Sequence, residues 1–138
     1  MNEPCDMTSM IADYMEKGFL ENIIDMFKHD KSLYPLIGEL MTDERMRVRL
    51  GITALVETLA NEDRDSIPGS IDSIARLLKE PNSTMRGDAA YLLGIIGHAD
   101  ALPHLEDVLA DDNAQVREIA AEAIEEIRKT IHSDRNSA

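Results

Sequence analysis

Apolar residues recur along this chain at offsets of three, four and seven. Ile52, Leu55, Val56 and Leu59 form one such set. Ala89, Leu92, Leu93 and Ile96 form a second, and Ala120, Ala123, Ile124 and Ile127 a third. Each set falls on one stripe of an α-helix. No run shows the strict alternation of a half-buried strand. The spacing predicts helices over about 7–17, 19–29, 32–42, 44–60, 70–79, 83–97, 101–110 and 113–131, with 132–138 as a tail. Gly18 separates the first two, and Gly97 is placed to end a helix.

The pattern is internally repeated. Tyr34–Arg49 reads YPLIGELMTDERMRVR and Leu102–Arg117 reads LPHLEDVLADDNAQVR, aligned without a gap. Pro35 meets Pro103, Asp43 meets Asp111, Val48 meets Val116 and Arg49 meets Arg117. Tyr34, Ile37, Leu40 and Met41 match Leu102, Leu105, Val108 and Leu109. A third copy lies between them, carried by Ile71, Ile74, Leu77, Leu78, Glu80, Asn82, Met85 and Arg86. The unit is therefore helix, turn, helix, and a single unit cannot bury its own stripe, so neighbours must stack. Ser32 and Asp100, each three residues before a proline, are read as N-caps, which puts Pro35 and Pro103 in first turns. Asp112 and Gln115 have the spacing of a capping box. Thr53, Ala90 and Ala121 are small in all three copies, as close helix packing requires.

These residues resemble the short HEAT-like repeat of bilin lyases and many other proteins. The resemblance is carried by Met85-Arg86-Gly87-Asp88-Ala89-Ala90-Tyr91-Leu92-Leu93-Gly94-Ile95-Ile96-Gly97. Pro103, Leu105, Leu109, Asp111, Val116, Arg117, Ala120 and Ala121 continue it. It covers residues 32–128 and departs at His98 and at the long connection 61–70. It implies an all-α fold: a short right-handed α-solenoid of HEAT-like helix pairs. The expected organisation is one domain, 1–138, with an N-terminal helical cap over 1–31, repeats over 32–131 and the tail. The fold hosts many functions, so the resemblance alone names none.

Composition narrows the classes. The chain has 138 residues, long enough for one domain with a real core. Its formal net charge is −13, which argues against nucleic-acid and anionic-membrane partners. Trp is absent, so the core must come from Leu, Ile, Met and Ala. The N-terminal segment is Met-rich: Met7, Met10, Met15 and Met26 sit there with Tyr14, Phe19 and Phe27. Core filling and an adaptable docking surface are both open for it. The single cysteine, Cys5, forms no internal disulfide and has no basic neighbour to activate it. With no signal-like or membrane-spanning run, the expected location is cytoplasmic.

Candidate chemistry is sparse. Arg49, Arg86 and Arg117 recur at helix starts, each six residues after an acid: Asp43, Glu80 and Asp111. The column can be read as an anion-binding ladder. It can also be read as an acid–arginine ladder tying repeats together, and the pairing of the signs favours this second reading. His98, Asp100 and His104 invite a metal reading, but their spacing does not converge the side chains, and surface histidines fit better. Some HEAT-like hydroxylases bind iron through His-Glu pairs at helix starts. The corresponding pairs here are Leu50-Gly51, Gly87-Asp88 and Glu118-Ile119, so that activity is not carried over. No metal, cofactor or catalytic set is expected. Glu118, Glu122, Glu125 and Glu126 give the last helix a polar outer face, with Glu125 and Lys129 spaced for an ion pair.

The second helix of each repeat is expected to line a concave face. Its outward column reads Glu39, Arg76, Asp107, then Thr42, Lys79, Ala110, with Gly38, Ala75 and Glu106 beside it. The expected function is non-catalytic protein binding or scaffolding. The expected contacts are Glu39, Arg76, Lys79, Glu106 and Asp107, with Arg76 and Lys79 as a basic spot between acids. The partner is another protein, and a homo-oligomer stays open. The alternative, from the resemblance, is an accessory subunit of a cofactor-attaching, bilin-lyase-like enzyme. For residues 61–70, a partner-contacting loop and a tolerated insertion are both open.

Overall fold

The structure is a computed structural model and describes residues 6–136, with side chains to residue 135. Cys5 lies outside the described residues. The elements are α1 (Met7–Glu16), α2 (Leu20–His29), α3 (Ile37–Leu40), α4 (Met46–Glu62), α5 (Ile71–Arg76), α6 (Ser83–Ile96), α7 (Leu102–Val108) and α8 (Ala114–Asn136). Short 3₁₀ turns occupy Lys31–Leu36, Ile67–Ser70, Leu77–Lys79 and Ala99–Ala101. Among the described residues there is no strand. The fold is an all-α solenoid, with helices in two layers. The long helices α4, α6 and α8 pack side by side, the short α3 and α5 pack together, and the 99–101 turn that leads into α7 packs on α5. Each short helix also packs on the long helix that follows it: α3 on α4, α5 on α6, α7 on α8. α1 and α2 both lie against α4, and α2 also meets the 31–36 turn.

The core is the set of stripes read from the spacing. Ile52, Leu55, Val56, Leu59, Ala89, Leu92, Leu93, Ile96, Ala120, Ala123, Ile124 and Ile127 are all buried. Ile11, Met15, Ile23 and Phe27 join the same cluster, so the Met-rich segment does supply core. Burying one such aliphatic side chain is worth about 1.5–3 kcal/mol, which is why the stack forms only when neighbours cover each stripe. Leu109 is the exception and stays exposed at the end of α7.

The caps correct three expectations. The chain enters the proline-bearing segments through 3₁₀ turns, which moves each cap upstream. Asp30, not Ser32, accepts the Ser32 N–H at 3.1 Å, and Ser32 Oγ donates to the same carboxylate. His98, not Asp100, is the other cap, its Nδ1 accepting the Asp100 N–H at 3.0 Å. Pro35 thus sits inside a 3₁₀ turn, whereas Pro103 does fall in the first turn of α7. In place of an Asp112 box, Asn113 Oδ1 accepts from Val116 N at 3.0 Å, as Asn82 Oδ1 does from Met85 N at 3.1 Å. Gly97 ends α6 at φ 71°, the left-handed region that favours glycine.

Residues 61–70 are anchored at points, although Asn61, Glu62, Arg64, Asp65 and Gly69 are exposed. Ile67 and Ser70 are buried, and Arg64 Nη2 reaches Asp134 Oδ2 at 2.7 Å. That contact exists because α8 continues through the segment expected to be a tail. Asp63 accepts from Lys31 Nζ at 2.7 Å and from Tyr34 Oη at 2.5 Å, joining the N-terminal part to the end of α4. Burial pushes Asp63 upward, but these donors outweigh it and hold its carboxyl below the usual range. Burial, together with Asp63, pushes the Tyr34 phenol well up.

The short layer closes where Gly38 faces α5. Its N–H donates to Ser73 Oγ at 3.1 Å, and any Cβ at that position would run into the Ser73 carbonyl. Gly38→Ala is therefore expected to destabilise the fold by about 1–3 kcal/mol, since backbone must shift to admit one methyl. Urea denaturation of the two proteins measures this, and equal midpoints would contradict the packing.

Candidate functional site

The arginine column is a structural device. Arg49, Arg86 and Arg117 each donate from Nη1 to the backbone carbonyl six residues earlier: Asp43 at 2.6 Å, Glu80 at 2.8 Å and Asp111 at 2.7 Å. These carbonyls follow the short helices and have no helical partner, so the arginine satisfies them. The acids do different work. Asp43 Oδ1 and Asp111 Oδ1 each accept a backbone N–H two residues on, from Arg45 and Asn113, both at 2.9 Å.

Arg86 goes further. Its Nε and Nη2 bind Asp111 at 2.9 and 3.0 Å, its Nη2 also reaches Asp112 at 3.2 Å, and its Nη1 also reaches the Pro81 carbonyl at 2.9 Å. All donors of the guanidinium fork are spent, which leaves none for a phosphate or carboxylate ligand. The inter-repeat tie is thus the bidentate Arg86–Asp111 pair. Arg45 makes an analogous tie at the other end, binding Asp43 in its own turn and Asp13 of α1 at 3.0 Å. No corresponding ion pair joins Arg49 to Glu80 among the described residues.

The histidines and the hydroxylase-type positions do not assemble a centre. His98 is used as a cap, and His104 lies half-buried on α7. Among the described residues, no group of three or more His, Cys, Asp or Glu side chains converges as a metal site. Leu50 is exposed on α4, Gly87 is buried under Ile119, and Glu118 points outward on α8. Burial raises the Asp88 carboxyl, with Arg49 opposing.

Two surfaces remain. On the short-helix layer, Glu39, Arg76, Lys79, Glu106 and Asp107 are all exposed. Arg76 ends α5 and Lys79 ends the next turn. Neither has a carboxylate within ion-pairing distance among the described residues, while Glu106 faces Arg128 at 3.8 Å. Of their neighbours, Gly38 and Ala75 are buried and so leave the expected outward column.

The long-helix layer carries a furrow of about 550 Å³ between α6 and α8. Tyr91, Gly94, Ile95, Ile119 and Ala123 line it, and Glu122, Glu125 and Glu126 stand on its rim. Gly94 sets the depth, because a Cβ there would lie 2.9 Å from Ala123 Cβ. Tyr91 Oη donates to Glu57 Oε2 at 3.1 Å, and burial with this carboxylate raises the phenol. A second hollow, between α4 and α6, shares Ile95 and Thr130 with the first. Sequence reasoning missed this furrow. Its signal was the run Ala89–Ile96, apolar on more faces than one stripe needs.

The family model for HEAT repeats matches residues 35–125. The chain belongs to the HEAT-repeat family. Such repeats are commonly protein-interaction scaffolds. A deoxyhypusine hydroxylase from Aspergillus clavatus is 30% identical over 73 residues, which is 51% of this chain and 22% of that protein. An engineered protein of known crystal structure is similar in fold, with a TM-score of 0.56 at 18% identity, over 89% of this chain and 55% of the other. This HEAT-repeat chain thus spans about a fifth of its curated relative and about half of its structural one. No described helix is long and apolar enough to cross a membrane.

The Arg86–Asp111 tie has a pH signature. The Arg86 guanidinium, with the Asn113 N–H, holds the Asp111 carboxyl below the usual range. A lowered folded value means its stabilisation is complete above roughly pH 4 and is lost as pH falls through the folded value. Asp111→Asn is expected to lower the melting temperature at neutral pH, and the gap to the parent should close on acidification from roughly pH 4 to 2. A gap constant across that range would contradict the assignment.

Proposed function

We propose that this HEAT-repeat chain is a non-catalytic interaction module that holds another protein on its short-helix layer. The observation that carries the reading is the pair Arg76 and Lys79. Both are exposed and without a carboxylate partner, in a chain of net charge −13. Several other basic side chains at the surface are matched, Lys28 with Glu62, Lys31 with Asp63, Arg45 with Asp43 and Arg64 with Asp134. Those that also lack a carboxylate among the described residues, such as Lys17, Arg47, Arg117 and Arg135, lie outside this layer's helices. Two unmatched cations between Glu39 on one side and Glu106 and Asp107 on the other form a charge pattern that a partner can read. The short helices hold these side chains on a packed scaffold, so little order has to be created on binding.

The hydroxylase likeness supports a different class and meets a chemical obstacle. Its matched span is a fraction of that protein, and the helix starts expected to carry His-Glu pairs carry Leu50-Gly51, Gly87-Asp88 and Glu118-Ile119. No histidine stands at any of these positions, and only Asp88 and Glu118 offer a carboxylate.

Two measurements test the reading. Affinity purification from the native cell, followed by mass spectrometry, is expected to return a stoichiometric protein partner. Arg76→Glu with Lys79→Glu should weaken that complex about tenfold or more, and an unchanged affinity would remove this face from the interface. Metal analysis of the purified chain is expected to find iron far below one atom per chain, and stoichiometric iron would overturn the non-catalytic assignment.

A further inference from the structure

The furrow on the long-helix layer has a composition that selects its occupant. Tyr91 is 48% exposed at its centre, and Ile95 and Ile119 are half-buried beside it. Water therefore reaches apolar side-chain surface of Tyr91, Ile95 and Ile119 that the repeat itself does not cover. The rim is anionic: Glu122, Glu125 and Glu126 follow one another along α8, and only Lys129, 3.8 Å from Glu126, offsets them. Arg128 faces away, toward Glu106, and Arg64, at the edge of the neighbouring hollow, is held by Asp134. On α8 the lining runs from Ile119 to Thr130, about 16 Å of helix or three turns, and Tyr91, Gly94 and Ile95 of α6 face it. Its volume lies within the range of pockets that take several side chains at once.

We propose that this furrow docks a cationic amphipathic helix of a second protein. Leucine, isoleucine or phenylalanine side chains of the helix sit on Tyr91, Ile95 and Ile119. Its lysines or arginines meet Glu122, Glu125 and Glu126. Charge decides among the candidate occupants. An anionic lipid surface or a nucleic acid would meet three carboxylates with one lysine to answer them. A second copy of this chain brings a net charge of −13 to the same place. A basic helix gains from both parts of the furrow: apolar anchors in the groove supply affinity, and the acid rim supplies steering and orientation. This inference rests on the reading of the chain as an interaction module. It does not rest on the Arg76–Lys79 face, which lies on the other layer.

The test uses the full chain and three synthetic peptides of about 18 residues: a Leu/Lys amphipathic helix, a scramble of the same composition, and a Leu/Glu counterpart. Fluorescence anisotropy reads binding at about 50 and about 300 mM salt, which separates screened from contact interactions. The amphipathic Leu/Lys peptide is expected to bind at both salt levels, at least about tenfold tighter than its scramble, and the Leu/Glu peptide not at all. Tyr91→Ala should weaken binding about fivefold, and Glu122→Lys with Glu125→Lys and Glu126→Lys at least about tenfold. The corresponding Gln triple should give a smaller loss in the same direction, which separates charge from any disturbance of α8, and circular dichroism reports the helix content of each variant. Arg76→Glu with Lys79→Glu should leave peptide binding unchanged. Loss of the native partner with that double reversal, but no peptide binding here, would overturn the furrow and leave the module reading standing. Equal binding of the scramble, or binding untouched by Tyr91→Ala and the Glu substitutions, would also overturn the furrow.

Discussion

The stack depends on helices that approach closely enough for one backbone to meet the next with no side chain between them. Gly38 of α3 lies against the Ser73 backbone of α5 and Gly94 of α6 against Ala123 of α8, while Gly51 of α4 instead makes room for the Met15 side chain of α1. At each of these junctions a methyl group would displace a neighbour. Close approach is what lets Leu and Ile stripes of modest width interdigitate and go fully dry in a chain with few aromatics. It also sets the surface. Where α6 and α8 meet at Gly94, the helices are near enough to share a core on one side. On the other side they leave an open furrow, floored by the side chains that flank the contact.

Electrostatics in this chain is mostly an answer to helix ends. A helix pair joined by a tight turn leaves carbonyls behind and N–H groups ahead. Arg49, Arg86 and Arg117 take the carbonyls, and Asp43, Asn82, Asp111 and Asn113 take the N–H groups. Only Arg86 has geometry that reaches the next repeat, because Asp111 is short enough to cap Asn113 and present both oxygens to the guanidinium at once. Glu80, one methylene longer at the equivalent place, makes neither contact.

Most of the architecture was legible because hydrophobic spacing and stacking are one constraint seen twice. A stripe at offsets of three, four and seven can be dry only if another helix covers it, and the buried residues of α4, α6 and α8 are those stripes. The caps were misplaced because proline reports only that an N–H is missing, and a 3₁₀ turn tolerates that as well as a first α-helical turn does. Hence Asp30 and His98 cap where Ser32 and Asp100 were expected. The extension of α8 past residue 131 was hidden because its outer face is polar, and polarity reads as tail until Asp134 is seen to hold Arg64. The basic spot was legible because Arg76 and Lys79 are off-stripe. The furrow was not, because Tyr91, Ile95 and Ile119 become one surface only when α6 and α8 are set side by side.

The two layers now differ in kind. The short-helix layer is polar, with two cations standing unmatched among acids. The long-helix layer exposes apolar side chains in its furrow with carboxylates beside them. A surface of the first kind reads charge and is sensitive to salt; one of the second kind reads shape and apolar area and is less so. Because the layers share one core, the separation and orientation of the two surfaces are fixed by packing and not by a linker. That rigidity gives a small repeat protein its capacity as a scaffold. A partner seated on either layer meets a surface already in place, and the ordering cost of assembling the second contact has been met by folding. The negative charge also gains a positional meaning. Along α8 it stands beside exposed apolar groups, where a cation carried on an apolar helix can satisfy both.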